Sequence, residues 1–369
     1  MDLLLSEPQS LFAATAARLC ADHGGPSRLR TLRAAASEID REAWRAVLAA
    51  EWLSTVVAEA HGGLGLGAFD LALAVEPVGR RLLMVPLIEA AAAAWTLSRA
   101  ADDAPAASAL ADLLRGDRLI VPATEARAWG SGASSPTLVY DRDAAVLSGS
   151  VRLVAHAGAA DGFLVAVGSG SQPVLAIIPR SRVSIDTGSN IDGSSSSTLV
   201  FADIELPPAD AIATGARAGE LIRDLQEFLA LCAAVELVGL AAAALEVTLD
   251  YIKLRRQFGR PIGSFQVLQH RAVDAFVDIE LDRSLVYRVL AAFDRRAHHP
   301  AMASAAKARA SRSALQVVRA ALQMHGAIGY TEEHDIGLYY KRAVALAARY
   351  GGELAHTGHF SRLTRAESA

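Results

Sequence analysis

Two runs in the last third of the chain mix arginine, amide, aromatic and glycine side chains at close spacing. The first is Arg255-Arg256-Gln257-Phe258-Gly259-Arg260-Pro261-Ile262-Gly263, followed by Ser264-Phe265-Gln266. The second is Gln323-Met324-His325-Gly326-Ala327-Ile328-Gly329-Tyr330-Thr331-Glu332-Glu333-His334. An arginine fork can grip a phosphate or carboxylate through paired, charge-assisted bonds. Taken alone, Arg255 is equally a solvated charge at a helix C-terminus. Glu236 is a different kind of candidate. It stands in Ala233-Ala234-Val235-Glu236-Leu237-Val238-Gly239, an apolar setting that favours a raised carboxyl pKa and hence acid–base work. Its structural alternative is a carboxylate paired with an arginine or a backbone group. His61-Gly62-Gly63-Leu64-Gly65-Leu66-Gly67 lacks the Lys-Ser/Thr of a phosphate-binding loop and follows no strand, so it reads as a helix–helix turn. The Ser194–Ser197 run reads as a turn into a strand. No Cys/His spacing suggests a metal site.

The elements that position these residues fall into three blocks. Residues 1–116 read as helix, with apolar periodicity over Glu42–Leu53 and Asp70–Leu83. Residues 117–212 carry short β-branched runs at Leu119–Pro122, Thr137–Tyr140, Gly162–Val167, Pro173–Ile178 and Ser197–Ile204, the mark of a small β-barrel or sandwich. Residues 213–369 return to helix over Leu221–Arg256, Gln266–Arg296 and Pro300–Met324, which suggests a bundle of four or five helices. The expected fold is mainly α with a central β domain.

Composition narrows the class. The chain has 369 residues, 52% of them apolar, and a net charge of -4. It is too apolar for disorder and lacks the basic charge of a nucleic-acid binder. Lys253, Lys307 and Lys341 are its only lysines. The most membrane-like stretch, Leu229–Leu249, carries Glu236 and Glu246, which favours a buried bundle helix over a span. Two distant cysteines, Cys20 and Cys232, and an N-terminus without a basic region fit a cytoplasmic setting.

The two glycine-containing runs, with Val57-Ala58-Glu59-Ala60-His61-Gly62-Gly63-Leu64-Gly65, resemble the acyl-CoA dehydrogenase family over nearly the whole chain. The resemblance implies an N-terminal helical domain, a middle β-barrel and a C-terminal four-helix bundle. It implies FAD as cofactor, an acyl-CoA thioester as substrate, α,β-dehydrogenation, an electron-transfer flavoprotein as electron acceptor, and an oligomer that shares FAD across subunits. By resemblance Arg255 contacts the pyrophosphate, Phe258 packs on the cofactor and Gln266 reaches its adenine end. Gln323 and Gly326 meet the FAD of a neighbouring subunit, and Thr124 is a contact in the β domain. Ala327 replaces the second glycine of the usual pair.

The chain departs from the family where the chemistry is done. The base is usually the Glu of a Tyr-Glu-Gly segment, and Tyr350 falls at that position. A phenol, with an ordinary pKa near ~10, is a poor general base at neutral pH. The alternative base position in the first bundle helix falls near Leu229, which leaves Glu236, two turns along, as the carboxylate candidate. Glu332 and Glu333 read as structural or substrate-loop residues. In the β domain the family's Thr-Glu-Pro stretch reads Thr124-Glu125-Ala126-Arg127-Ala128-Trp129-Gly130-Ser131-Gly132. Leu153 and Ala155 stand where a Trp and a Thr face the flavin ring. Three readings follow: the base-lacking partner subunit of a heteromeric acyl-CoA dehydrogenase, a self-sufficient enzyme using Glu236, or a non-redox acyl-CoA-binding scaffold.

Overall fold

The computed structural model describes residues 5–124, 138–141, 145–167, 173–207 and 210–366. Helix α1 spans Glu7–His23 and opens with a reciprocal cap, in which Ser6 and Gln9 each satisfy the other's backbone N–H. Helix α2 covers Pro26–Ala34 and α3 Arg41–Ala49. Asp40 caps α3, its carboxylate accepting from the amides of Glu42 and Ala43 at 3.1 and 3.2 Å. The periodicity over Glu42–Leu53 is broken at Glu51, whose φ of 55° ends the helix before a short 3-10 turn at Trp52–Val56. Helices α4 (Ala68–Arg80), α5 (Leu87–Arg99) and α6 (Ala104–Arg115) follow. The glycine run before α4 is a connecting turn, with Gly62 at φ 83° closing a 3-10 turn at Glu59–His61.

Two four-stranded sheets make up the middle block, among the described residues. One has the order β1 (Ile120–Thr124), β4 (Gly162–Val167), β5 (Val174–Pro179), β8 (Ala211–Thr214). The other has the order β2 (Leu138–Asp141), β3 (Val146–Ala155), β7 (Ser195–Glu205), β6 (Ser184–Ser189). On β7 the buried residues Ser195, Ser197, Leu199 and Phe201 alternate with more open ones, as one face of a sheet requires. Three strands were not expected from sequence: β3, β6 and β8.

Helix α7 runs from Gly215 to Leu254, α8 from Gln266 to Asp294, α9 from Ala301 to His325, α10 from Ile336 to Ala348 and α11 from Glu353 to Ala366. Helix α7 is long and apolar enough to cross a membrane, yet its most apolar stretch is wholly buried inside the protein.

Contacts divide the chain into two units that cut across the linear blocks. One comprises residues 32–71 and 84–229; the other comprises residues 1–31, 72–83 and 230–369. In the second unit α4 is inserted beside α7. A Cβ on Gly79 would collide with the carbonyl of Glu236, and one on Gly239 would collide with the carbonyl of Glu76. Each helix thus offers a glycine one turn from the residue its partner's glycine touches, so the two backbones meet directly. Overpacking a tight crossing costs about 1–3 kcal/mol. Gly239→Ala is therefore expected to lower the urea midpoint of unfolding, and an unchanged midpoint would show that the crossing relaxes without cost.

Candidate functional site

The first motif folds as a hairpin between α7 and α8. Gln257 pairs with Arg260 and Arg256 with Pro261, leaving Phe258 and Gly259 as a two-residue turn. Both turn residues have positive φ, 51° and 79°. That is the primed geometry matching strand twist, in which Gly259 is at ease and Phe258 is not. The strained residue carries a ring that is 89% exposed. Phe265 meets it edge-on at 6.0 Å, and the Arg260 guanidinium lies 4.3 Å over the Phe265 ring. Arg255 is exposed at the base of the hairpin, its carbonyl accepting from the Ile262 amide at 2.8 Å. Gln266, also exposed, is the first residue of α8. A guanidinium, an exposed aromatic ring and an amide are therefore gathered on one junction.

The second motif ends α9. Gln323 and Gly326 are both exposed. Gly326 has φ 68° and ψ -145°, a conformation essentially reserved for glycine, and a Cβ there would meet nothing within 4 Å. Its glycine is required by backbone angle and not by crowding within the chain. Ala327 is exposed too, so its methyl disturbs no packing here.

Three side chains that sequence reasoning missed join the two motifs. Tyr251, one turn before Arg255, stacks on His325 at 4.4 Å and donates its hydroxyl to the His325 carbonyl at 3.3 Å. His334 closes the group, 4.4 Å from His325 and 5.6 Å from Tyr251. His325 Nδ1 faces the Ala321 carbonyl at 2.8 Å, so that nitrogen carries the proton. Burial holds both imidazoles below their ordinary pKa, which keeps the stack uncharged. The signal available in sequence was the four-residue spacing of Tyr251, in the last turn of α7, from Arg255 just beyond it. The following loop is pinned by Arg30, which pairs with Asp335 at 2.7 Å and donates to the Glu332 carbonyl at 3.2 Å. Glu332 itself pairs with Lys341.

Glu236 is paired with an arginine. It is buried on α7, and Arg342 of α10 donates to its Oε1 from Nε at 3.0 Å and from Nη2 at 2.5 Å. Both bonds end on the same carboxylate oxygen, and the two side chains are buried together as an ion pair. That is the arginine pairing which its structural alternative describes. Leu229 is fully buried on the same helix. Tyr350 lies in the turn between α10 and α11, half-buried, with φ 57°. Neither base position therefore holds a carboxylate.

In the other unit Thr124 ends β1, paired with Ala166 of β4. The stretch Glu125–Gly132 lies outside the described residues. Leu153 sits on a bulge of β3 at φ 60° and is 65% exposed, whereas Ala155 is buried opposite Ser196. The next residue, His156, is buried 3.8 Å from the Glu89 carboxylate of α5. Sequence reasoning did not pick out either partner. Among the described residues no group of His, Cys, Asp and Glu could hold a metal ion.

The three-block order, the two motifs and their placement at the ends of α7 and α9 define the class. The chain belongs to the acyl-CoA dehydrogenase family. Residues 6–117 match the model of the acyl-CoA dehydrogenase N-terminal domain and residues 226–354 that of the C-terminal domain. Acyl-CoA dehydrogenase IpdE2 of Mycobacterium tuberculosis is 31% identical over 341 residues, covering 91% of each chain. Its namesake in Mycolicibacterium smegmatis is 29% identical over 94% of this chain and 96% of its own. Among solved structures, a variant of the Tcur3481-Tcur3483 steroid ACAD superposes with a TM-score of 0.88 at 26% identity, covering 98% of this chain and 99% of its own. The ChsE4-ChsE5 complex from Mycobacterium tuberculosis gives a TM-score of 0.86 at 23% identity, covering 100% of this chain and 99% of its own, a likeness of fold.

Proposed function

We propose that this chain is the base-lacking partner subunit of a heteromeric, FAD-dependent acyl-CoA dehydrogenase. One observation carries the reading: the cofactor-side residues stand exposed and intact, while neither base position carries a usable carboxylate. Arg255, Phe258 and Gln266 on one junction, with Gln323 and Gly326 on the other, fit the pyrophosphate and adenosine of FAD. Arg255 supplies a charge-assisted grip, Phe258 an apolar face, and Gly326 an unobstructed backbone. When bound, FAD accepts the hydride in this family's α,β-dehydrogenation of acyl-CoA thioesters. The flavin-ring side fits less well, since Leu153 and Ala155 supply neither an aromatic wall nor a hydroxyl. That asymmetry favours a chain that completes a partner's site over one with a full site of its own.

An assembly is supported by α8, where Val273, Phe276, Val277 and Leu281 are each about half exposed at helical spacing. An apolar stripe of this kind on a water-facing helix marks a surface that is covered in use. The names of two structural relatives, Tcur3481-Tcur3483 and ChsE4-ChsE5, each pair two proteins, and the first is called a steroid ACAD, which makes a steroid-derived acyl group the substrate class of this proposal. An electron-transfer flavoprotein as acceptor and a cytoplasmic setting complete the proposal. Both cysteines are buried thiols outside any disulfide, with burial pushing Cys20 up to about 12, so neither calls for an oxidising compartment.

The test is co-expression with a homologue that retains the carboxylate base. The chain purified alone is expected to be almost colourless, and the co-purified complex yellow with flavin absorbance. A lone chain that holds stoichiometric flavin and oxidises an acyl-CoA overturns the partner reading. A complex free of flavin turns the choice to the non-redox scaffold.

A further inference from the structure

Beneath the turn that joins α10 to α11 lies a polar network with no role in the reading above. Lys307, in the second turn of α9, is fully buried. Its Nζ donates to Ser311 Oγ at 2.9 Å, to the Ala347 carbonyl at 3.1 Å and to the Gly351 carbonyl at 3.0 Å. All three ammonium protons are used. Ala347 lies in the last turn of α10, at the negative end of the helix dipole. A second anchor comes from α11. His356 Nε2 lies 2.8 Å from the Tyr350 carbonyl, so Nε2 carries the proton. Its Nδ1 is 3.2 Å from Ser304 Oγ, which is 2.9 Å from His359 Nδ1. Burial, and then the Lys307 charge, push His356 down to about 3. A neutral ring leaves Nδ1 as an acceptor, so Ser304 donates to His356 and His359 donates to Ser304.

What this network holds is strained. Tyr350 has φ 57° and Gly351 φ 95°. Two successive left-handed residues are uncommon, and a tyrosine among them persists only where its surroundings fix it. The carbonyls of these same two residues are the ones gripped, Tyr350 by His356 and Gly351 by Lys307. We propose that Lys307 and His356 are positioning residues that clamp the Tyr350–Gly351 turn from beneath and so fix the wall offered to the acyl thioester. The last part rests on the acyl-CoA reading; the clamp itself does not.

The network also answers to pH. Around Lys307 stand the Arg349 guanidinium, the neutral His356 and, through Ser304, His359 with Arg362 beside it. Glu353, at the start of α11, makes no bond to Lys307 among the described residues. Burial, and then Arg349, lower Lys307 from 10.5 to about 7. Between about 7 and 10.5 the unfolded chain binds this proton and the folded chain does not, so stability from this group rises with pH across that window. The clamp moves the other way. Above about 7 the neutral amine keeps two N–H groups for the carbonyls and accepts from the Ser311 hydroxyl. Its bonds lose their charge assistance, and the turn loosens without being released.

The amides of Gly351 and Gly352 share peptide groups with the two gripped carbonyls, so each reports one anchor. Tyr350-Gly351 is the only Tyr-Gly pair in the chain, and Gly351-Gly352 is one of three Gly-Gly pairs. In full-length protein with 15N glycine, carbonyl-13C tyrosine therefore isolates the Gly351 signal, and carbonyl-13C glycine leaves the Gly352 signal as one of three, assigned by its loss in Gly352→Ala. In the parent, the Gly352 signal is expected to shift with a midpoint near pH 7. Lys307→Met should move that signal and abolish its midpoint. His356→Leu should move the Gly351 signal, and His356→Gln, whose amide reaches the Nε2 position, should restore it. In the co-expressed complex, Lys307→Met should weaken binding of a thioether acyl-CoA analogue about tenfold and flatten its pH dependence, with the flavin ratio unchanged. A parent Gly352 signal without a midpoint overturns the proposal even if no variant folds, and so do variants that leave both signals in place. If the signals behave as expected but the parent complex binds no analogue, the clamp stands and the acyl-CoA reading falls.

Discussion

Arg342→Met is expected to destabilise the protein by about 3–5 kcal/mol, the usual cost of leaving a buried charge without its partner. The arginine contributes the two bonds to Glu236 Oε1, and its removal strands the carboxylate inside the helical unit. The paired replacement Glu236→Leu with Arg342→Met should recover most of the loss, because an apolar pair avoids the desolvation of both ions. Urea unfolding of the parent, the two single variants and the double variant measures the coupling directly. A catalytic Glu236 makes the opposite forecast: Glu236→Gln would abolish turnover and leave the unfolding midpoint where it was. A flat stability series would thus return Glu236 to the list of candidate bases.

The second large effect concerns Arg255. A hydrogen bond to a charged group contributes about 1.5–3 kcal/mol. Arg255→Leu should therefore weaken flavin retention in the co-expressed complex by roughly ten- to hundredfold. The side chain is exposed at the base of the hairpin and only its backbone is bonded to neighbours, so stability should change little. Arg256→Leu, on the adjacent hairpin strand, serves as the control. Its guanidinium donates to the Gly259 carbonyl at 3.4 Å, a local contact within the turn. Equal losses in the two variants would show that general positive charge, rather than the Arg255 position, holds the cofactor.

Much of the architecture was readable because it is written in local pattern. The long bundle helices announce themselves by apolar periodicity, and Gly162–Val167 is a strand with the expected bounds. The missed strands each lack that pattern for a reason. Strand β6, Ser184–Ser189, is an almost entirely exposed edge of polar residues. Strand β3 is interrupted by Gly149 and by a bulge around Leu153. Strand β8 is only four residues long, too short to alternate visibly. The site divides in the same way. Arg255, Phe258 and Gln266 lie within twelve residues, and one hairpin brings them together. Glu236 and Arg342 are 106 residues apart, so their pairing is a tertiary fact that no local spacing encodes. Lys307 reads as a helix-face lysine in an alanine-rich run, and only packing reveals that it is sealed from water.

The glycine contact between α4 and α7 also sets a clock on folding. Gly79 must wait for Gly239, made 160 residues later, before its helix can seat against its partner. At a synthesis rate of about 5–20 residues per second, that delay is roughly 8–32 s. Throughout it, the backbone of α4 around Glu76 and Gly79 lacks the α7 backbone that it meets in the folded protein. The nascent chain therefore presents a chaperone with a defined segment for a defined interval, and slowing translation between Gly79 and Gly239 should lengthen its exposure to aggregation.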